Sequence, residues 1–273
     1  MVSQIEVLNP EANASLAKVA LFDFDGTISL IRAGWFDVMV PMMVEPLLEL
    51  KSGESEQELT AIVEEFVGQL TGRQTIYQMI EFAEQLKKRG GKPLDPVEYK
   101  HQYLALLSEH IKDRIAALES GATDPDEMIV PGGRRLLDTL KQRGFTMYLA
   151  SGTDQPFMRA EAKLLGVDGY FDGGMFGALD DYKSFSKKIL IAKIIRESDY
   201  EGEEFLGFGD GFVEIQNVKE VGGVAVGVAT DEPACEKVDP VKRQRLAGVG
   251  ADWIVPNFNA HDELVETLFP EGR

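Results

Sequence analysis

The stretch Val19-Ala20-Leu21-Phe22-Asp23-Phe24-Asp25-Gly26-Thr27 decides how the rest of the chain is read. A short apolar run ends in an acid, a second acid follows two positions later, and Gly-Thr closes the segment. A strand covered on both faces is apolar throughout rather than alternating, so 19–24 reads as a strand of a buried parallel sheet. It would deliver two carboxylates at its carboxyl end. By composition, an Asp-x-Asp-Gly-Thr match arises by chance in about a few per thousand chains of this length. A mere turn decorated with acids is therefore the weaker reading.

Working outward, similar short apolar runs occur at 146–150, 170–173, 205–209, 224–228 and 253–255. Between them, helical patterns run over 132–143, 155–165, 187–196, 213–221 and 261–268. Strand alternating with helix predicts the α/β class, as a doubly wound (Rossmann-like) parallel sheet whose site lies beyond the carboxyl ends of the strands.

One long helical interruption breaks the alternation. Leu59, Ile62, Val63, Phe66, Val67 and Leu70 fall on one helix face, with Ser55 and Glu58 spaced as a capping box. Asp95-Pro96-Val97-Glu98 opens a second helix that Gly121 ends, and a third lies between Gln74 and Lys88. The segment 35–50 holds Pro41 and Pro46, which predicts a bend or two short helices. The expected organisation is an α/β core, 1–32 and 124–273, carrying an all-helical cap domain, 33–123.

Composition narrows the function. The chain has 273 residues, 44% of them hydrophobic, and 28 Lys+Arg against 46 Asp+Glu give a net charge of −18. Such acidity repels phosphate backbones and anionic lipid, which argues against nucleic-acid or membrane-surface binding. A single cysteine, Cys235, and scattered His101, His110 and His261 lack metal-ligand spacing, so any metal should be hard and oxygen-bound. No basic, apolar leader opens the sequence and no apolar run approaches the ~20 residues of a membrane span. A cytoplasmic protein, monomer or dimer, is expected.

The Asp23-x-Asp25-Gly26-Thr27 motif at a strand end resembles the haloacid dehalogenase-like superfamily, in its phosphatase branch. The resemblance covers the α/β core; the cap is similar only in position and helicity. It implies Mg²⁺-dependent phosphoryl transfer through an aspartyl-phosphate, with Asp23 as nucleophile and Asp25 as general acid/base. The residue chemistry agrees, since a carboxylate is a competent covalent nucleophile and a second carboxyl group can protonate a leaving oxygen. A dehalogenase has no need of that second acid.

The resemblance also implies a Ser or Thr ending the next core strand, and Ser151 stands there, followed by Gly152. It implies a lysine at a helix start, where Lys187 after the Ser186 cap is favoured over Lys183. It implies a last acidic motif, supplied by Gly209-Asp210-Gly211-Phe212-Val213-Glu214, with Glu214 where the pattern usually has Asp. The metal set on this reading is Asp23, Asp25, Asp210 and Glu214; Gly152, Thr27 and Arg32 are the expected substrate contacts. A dinucleotide site fails, because Phe212 occupies the third glycine position.

Charge supports a metal. Asp23, Asp210, Glu214 and a phosphate dianion gather about five negative charges, and like charges at 4 Å cost about 4 kcal/mol per pair at an effective dielectric near 20. From the cap, Arg32, Trp35, Met39, Met42, Met43, Arg73, Tyr77 and Gln78 are candidates to line a closed pocket. The expected activity is hydrolysis of a small phosphorylated metabolite, such as a sugar phosphate. A phosphomutase of the same superfamily and a non-catalytic binding or regulatory protein are the alternatives.

Overall fold

A computed structural model describes residues 4–179, 182 and 186–270. Seven strands form one sheet: β1 Glu6–Val7, β2 Val19–Phe22, β3 Thr146–Asp154, β4 Gly174–Ala178, β5 Phe205–Gly209, β6 Val224–Val228 and β7 Trp253–Val255. Their order is β1-β7-β6-β5-β2-β3-β4, parallel except for β1, which pairs antiparallel with β7. The chain leaves β2 toward β3 and β4 on one side and returns to β5, β6 and β7 on the other. The carboxyl end of β2 is therefore the topological switch point, where such sheets open a crevice.

The strand period sorts side chains into two apolar layers. Ala20, Phe22, Met147, Leu149, Leu206 and Phe208 face α5 Gly133–Gln142, α6 Gln155–Leu164 and α10 His261–Leu268. Val19, Leu21, Phe205 and Ile254 face α7 Lys187–Glu197, α8 Phe212–Glu220 and α9 Pro240–Gly248. Both layers are closed to solvent, which is why the strands read as unbroken apolar runs.

Between β2 and β3 the chain forms four helices: α1 Trp35–Glu49, α2 Glu56–Gln69, α3 Thr75–Lys88 and α4 Pro96–Ser120. The capping box at α2 is made: Ser55 Oγ accepts from the Glu58 amide and Glu58 Oε2 accepts from the Ser55 amide. Asp95 caps α4 by accepting from the Val97 amide, and Gly121 ends it in the left-handed region at φ 71°. Each such cap contributes about 1 kcal/mol. None of the described helices is long and apolar enough to cross a membrane.

Two expectations are corrected. Of the two alternatives for the segment with Pro41 and Pro46, two short helices do not form: it is one continuous helix, because α1 buries Met39, Val40, Met43, Val44 and Leu47, and that packing offsets two lost amide donors. The strand expected at 170–173 lies at Gly174–Ala178; Asp168–Tyr170 is a 3-10 turn, and buried Phe171 made the preceding run look strand-like. The elements β1 and α9 had no counterpart in the sequence reading. Elsewhere boundaries shift slightly: β2 stops at Phe22 because the Phe24 carbonyl accepts from the amides of Thr27, Ile28 and Ser29, curling the chain into a tight loop.

Candidate active site

Four strand ends meet at the switch point. Asp23 follows β2, and its amide continues the ladder by donating to Phe208 of β5. Ser151 and Gly152 lie near the carboxyl end of β3, Asp210 follows β5, and Glu214 sits in the first turn of α8. Lys187 opens α7, where Ser186 Oγ accepts from the Ile189 amide as the cap. Lys183 lies outside the described residues.

Lys187 is the pivot of the buried part. Its Nζ donates to Asp23 Oδ1 and to Glu214 Oε2, each at 2.7 Å. All three residues are at most 5% exposed. The other Glu214 oxygen accepts from the Gly211 amide at 2.8 Å, so Glu214 both caps its own helix and orients the lysine. Burial pushes the Asp23 carboxyl well above the usual range; Lys187 opposes this and the Glu214 and Asp210 charges add to it. Burial likewise raises Glu214, with Lys187 opposing. For Lys187, burial works against the ammonium, but Asp23 and Glu214 outweigh it and hold the proton firmly.

Asp23, Asp210 and Glu214 each bring a carboxylate oxygen within 4.8 Å of the others. Three acids crowded into a partly desolvated pocket, with Lys187 and Lys242 against them, suit a hard divalent cation with oxygen ligands. Lys187 engages Asp23 through Oδ1 and Lys242 engages Asp210 through Oδ2, at 3.0 Å, so each carboxylate keeps a second oxygen. Asp25 stands apart from the three. Its Oδ2 accepts from Thr153 Oγ1 at 2.8 Å and from Ser151 Oγ at 3.2 Å, while Oδ1 is buried without a hydrogen bond, 3.9 Å from Arg32 Nε.

These groups form the floor of a cleft of about 590 Å³, its open mouth included, lined by Asp23, Asp25, Gly152, Thr153 and Asp210 from below. Arg32, Trp35, Met39, Arg73, Gln78 and Tyr103 complete it from the helical insertion and its entry. Met43 is buried in the helix core and Met42 is not on the wall; Tyr77 lines a neighbouring groove. Thr27 is wholly buried and off the cleft wall.

Arg32 reaches the cleft already paired. Glu161 of α6, 4% exposed, accepts from its Nε at 3.1 and 3.0 Å and from Nη2 at 2.7 Å. Arg73 has no acidic partner among the described residues and lies 5.9 Å from the Tyr77 ring centre and 5.8 Å from that of Phe212. The turn carrying it presses on the floor: a Cβ on Gly152 would lie 2.5 Å from the Arg73 carbonyl oxygen, and one on Gly211 2.8 Å from Gly72 Cα.

Sequence reading missed Thr153, Glu161, Glu232 and Lys242. Thr153 had a signal, since two residues beyond Ser151 in extended chain is the same face. Glu161, Glu232 and Lys242 had none, being ordinary charges on a helix or loop until the fold brings them in.

A family model for haloacid dehalogenase-like hydrolase matches residues 17–222. No curated protein sequence matches the chain. Among solved structures, a predicted phosphoglycolate phosphatase from Haemophilus somnus 129PT aligns at TM-score 0.58 and 14% identity, over 92% of this chain and 98% of that one. A predicted phosphatase from Clostridium acetobutylicum gives 0.58 and 17%, over 92% and 100%. A phosphonoacetaldehyde hydrolase-like protein from Oleispira antarctica gives 0.60 and 12%, over 96% and 97%. At these identities the likeness is one of fold. The family match, spanning well over half the sequence and taking in the converging motifs from Asp23 to Glu214, makes this chain a member of the haloacid dehalogenase-like hydrolases.

Proposed function

We propose that the protein is a Mg²⁺-dependent phosphomonoester hydrolase that acts on a small phosphorylated metabolite through a phospho-Asp23 intermediate. The observation that carries this reading is the division of labour between the two acids. Asp23 is held by a buried lysine beside two further carboxylates, while Asp25, two residues on, is outside that group and held by two hydroxyls. One acid is anchored by an ammonium among other charges; the other presents a buried, unbonded oxygen at the cleft.

Asp23, anchored by Lys187 through Oδ1, attacks phosphorus with its other oxygen, and the ester oxygen departs with a proton from Asp25. Asp25 then takes a proton from water as that water attacks the phospho-Asp23 phosphorus. Phosphate leaves and both carboxylates return to their starting state. On this reading the Ser151 hydroxyl, turning from Asp25, and the Gly152 amide hydrogen-bond the phosphoryl oxygens, and Lys187 adds positive charge beside them. Asp23 and Asp210, with Glu214 directly or through water, would hold Mg²⁺, which when bound neutralises charge on the transferring group. The four inserted helices serve as a cap over residues 33–123, and their cover favours small substrates.

A phosphonate-cleaving reading through an imine requires a lysine in the cleft. Among the described residues, the inserted helices and their entry contribute Arg32 and Arg73 to the cleft lining and no lysine. The test is phosphate release from a generic aryl phosphate and a panel of phosphorylated metabolites, with Mg²⁺ or chelator, for the native protein and Asp23→Asn. Release that requires both Mg²⁺ and Asp23 supports the reading. An isomeric phosphate product in place of free phosphate would move it to a mutase.

A further inference from the structure

Lys242 and Glu232 take no part in the chemistry above, yet they lie against it. Lys242 is in the first turn of α9, where Asp239 Oδ1 accepts from the Val241 and Lys242 amides at 2.9 and 2.8 Å. Its Nζ lies 3.0 Å from Asp210 Oδ2 and donates to Glu232 Oε1 at 2.5 Å. The two acceptor oxygens crowd one spot. A Cβ on Gly26 would lie 2.3 Å from Asp210 Oδ2 and 2.8 Å from Glu232 Oε1, and that glycine has φ +72°.

Two carboxylates so close repel each other unless a cation joins them, and Lys242 is that cation. The site's acids are thus paired by two lysines: Asp23 and Glu214 share Lys187, and Asp210 and Glu232 share Lys242. Lys187 faces the phosphoryl side by its place beside Asp23 and Ser151, both of which it neighbours in the site. Lys242 meets Asp210 through Oδ2, from a helix that contributes nothing to the cleft wall.

We propose that Lys242 is an internal counter-cation that weakens divalent-cation binding in the substrate-free enzyme, with Glu232 limiting the effect by sharing the ammonium. The proposal rests on Asp210 as a metal ligand in the reading above. An ammonium on Asp210 draws on the same negative charge that a divalent cation needs, so the free site holds its cation loosely. A phosphate dianion then brings the charge that tightens it, and cation and substrate enter together. A lysine acting only as a strut for Asp210 would have the opposite effect when removed.

The experiment is Mn²⁺ binding to the substrate-free protein, followed by the paramagnetic resonance signal of free Mn²⁺, for the native chain, Lys242→Met, Glu232→Gln and the double variant. Lys242→Met is expected to tighten Mn²⁺ binding roughly tenfold or more, since it removes a positive charge and strands Glu232. Glu232→Gln is expected to weaken it roughly threefold or more, and the double variant to fall between the two. Thermal unfolding checks that each variant is folded, and Glu232→Gln, which keeps shape and lysine, decides the matter if Lys242→Met is not. Unchanged or weaker binding in folded Lys242→Met, or tighter binding in Glu232→Gln, overturns the proposal. A native protein that binds no Mn²⁺ overturns the metal reading itself, a result separate from any difference among variants.

Discussion

Lys100 Nζ donates to Asp154 Oδ1 at 2.5 Å, joining helix α4 of the insertion to the last residue of β3. Lys100 is buried, and Asp154 directly follows Thr153, whose hydroxyl holds Asp25. Lys100→Met should therefore act twice, by leaving Asp154 without its partner and by loosening the chain that positions Asp25. The expected loss is about 1–3 kcal/mol in urea unfolding, with a roughly tenfold fall in kcat/KM. Unchanged kcat/KM alongside lost stability would confine the pair to a structural role.

Arg32 and Glu161 form a second buried link, between the entry to the insertion and α6. Arg32→Met strands a carboxylate that burial already pushes above its ordinary range, against the pull of Arg32. It should cost about 3–5 kcal/mol, whereas Arg32→Met with Glu161→Leu should cost distinctly less. Denaturant unfolding of the two singles and the double measures the difference. A double variant no more stable than Arg32→Met would show that the pair is not coupled.

The turn at Gly72-Arg73 rests on two glycines of the floor. Gly152→Ala and Gly211→Ala each place a methyl group within 3 Å of that turn's backbone, which cannot rotate away as a side chain would. Activity should fall about tenfold to a hundredfold, through misplacement of the floor, while the melting temperature moves little. Alanine variants with native kcat and KM would show that the turn yields freely.

Lys187→Met tests the buried charges by pH. Asp23 and Glu214 have folded-state pKa values raised by burial, and removing the lysine that opposes this raises them further. A group whose pKa is raised on folding binds more protons in the folded state, so its stability contribution is present at acid pH and lost as pH rises through the folded value. In chelator, the variant should be least stable near pH 8 and recover toward pH 5, with a steeper slope than the native protein. Urea unfolding across that range gives the answer, and a pH-independent deficit would contradict it.

What was legible in the sequence was what depends on neighbours along the chain. The strands at 205–209, 224–228 and 253–255 and the helix starts at Ser55, Asp95 and Ser186 rest on local apolar runs and on caps two or three residues away. The motifs around Asp23, Ser151, Lys187 and Asp210 follow from them, because a parallel sheet carries its strand ends to one edge. The tertiary structure alone decided which charges meet there. Pairing Arg32 with Glu161, Lys100 with Asp154 and Lys242 with Asp210 depends on helices packed from distant parts of the chain, and α1 continues through two prolines for the same reason. Capping and hydrophobic burial act within a turn or a strand and leave a local trace. A buried ion pair acts across a fold already formed and leaves none.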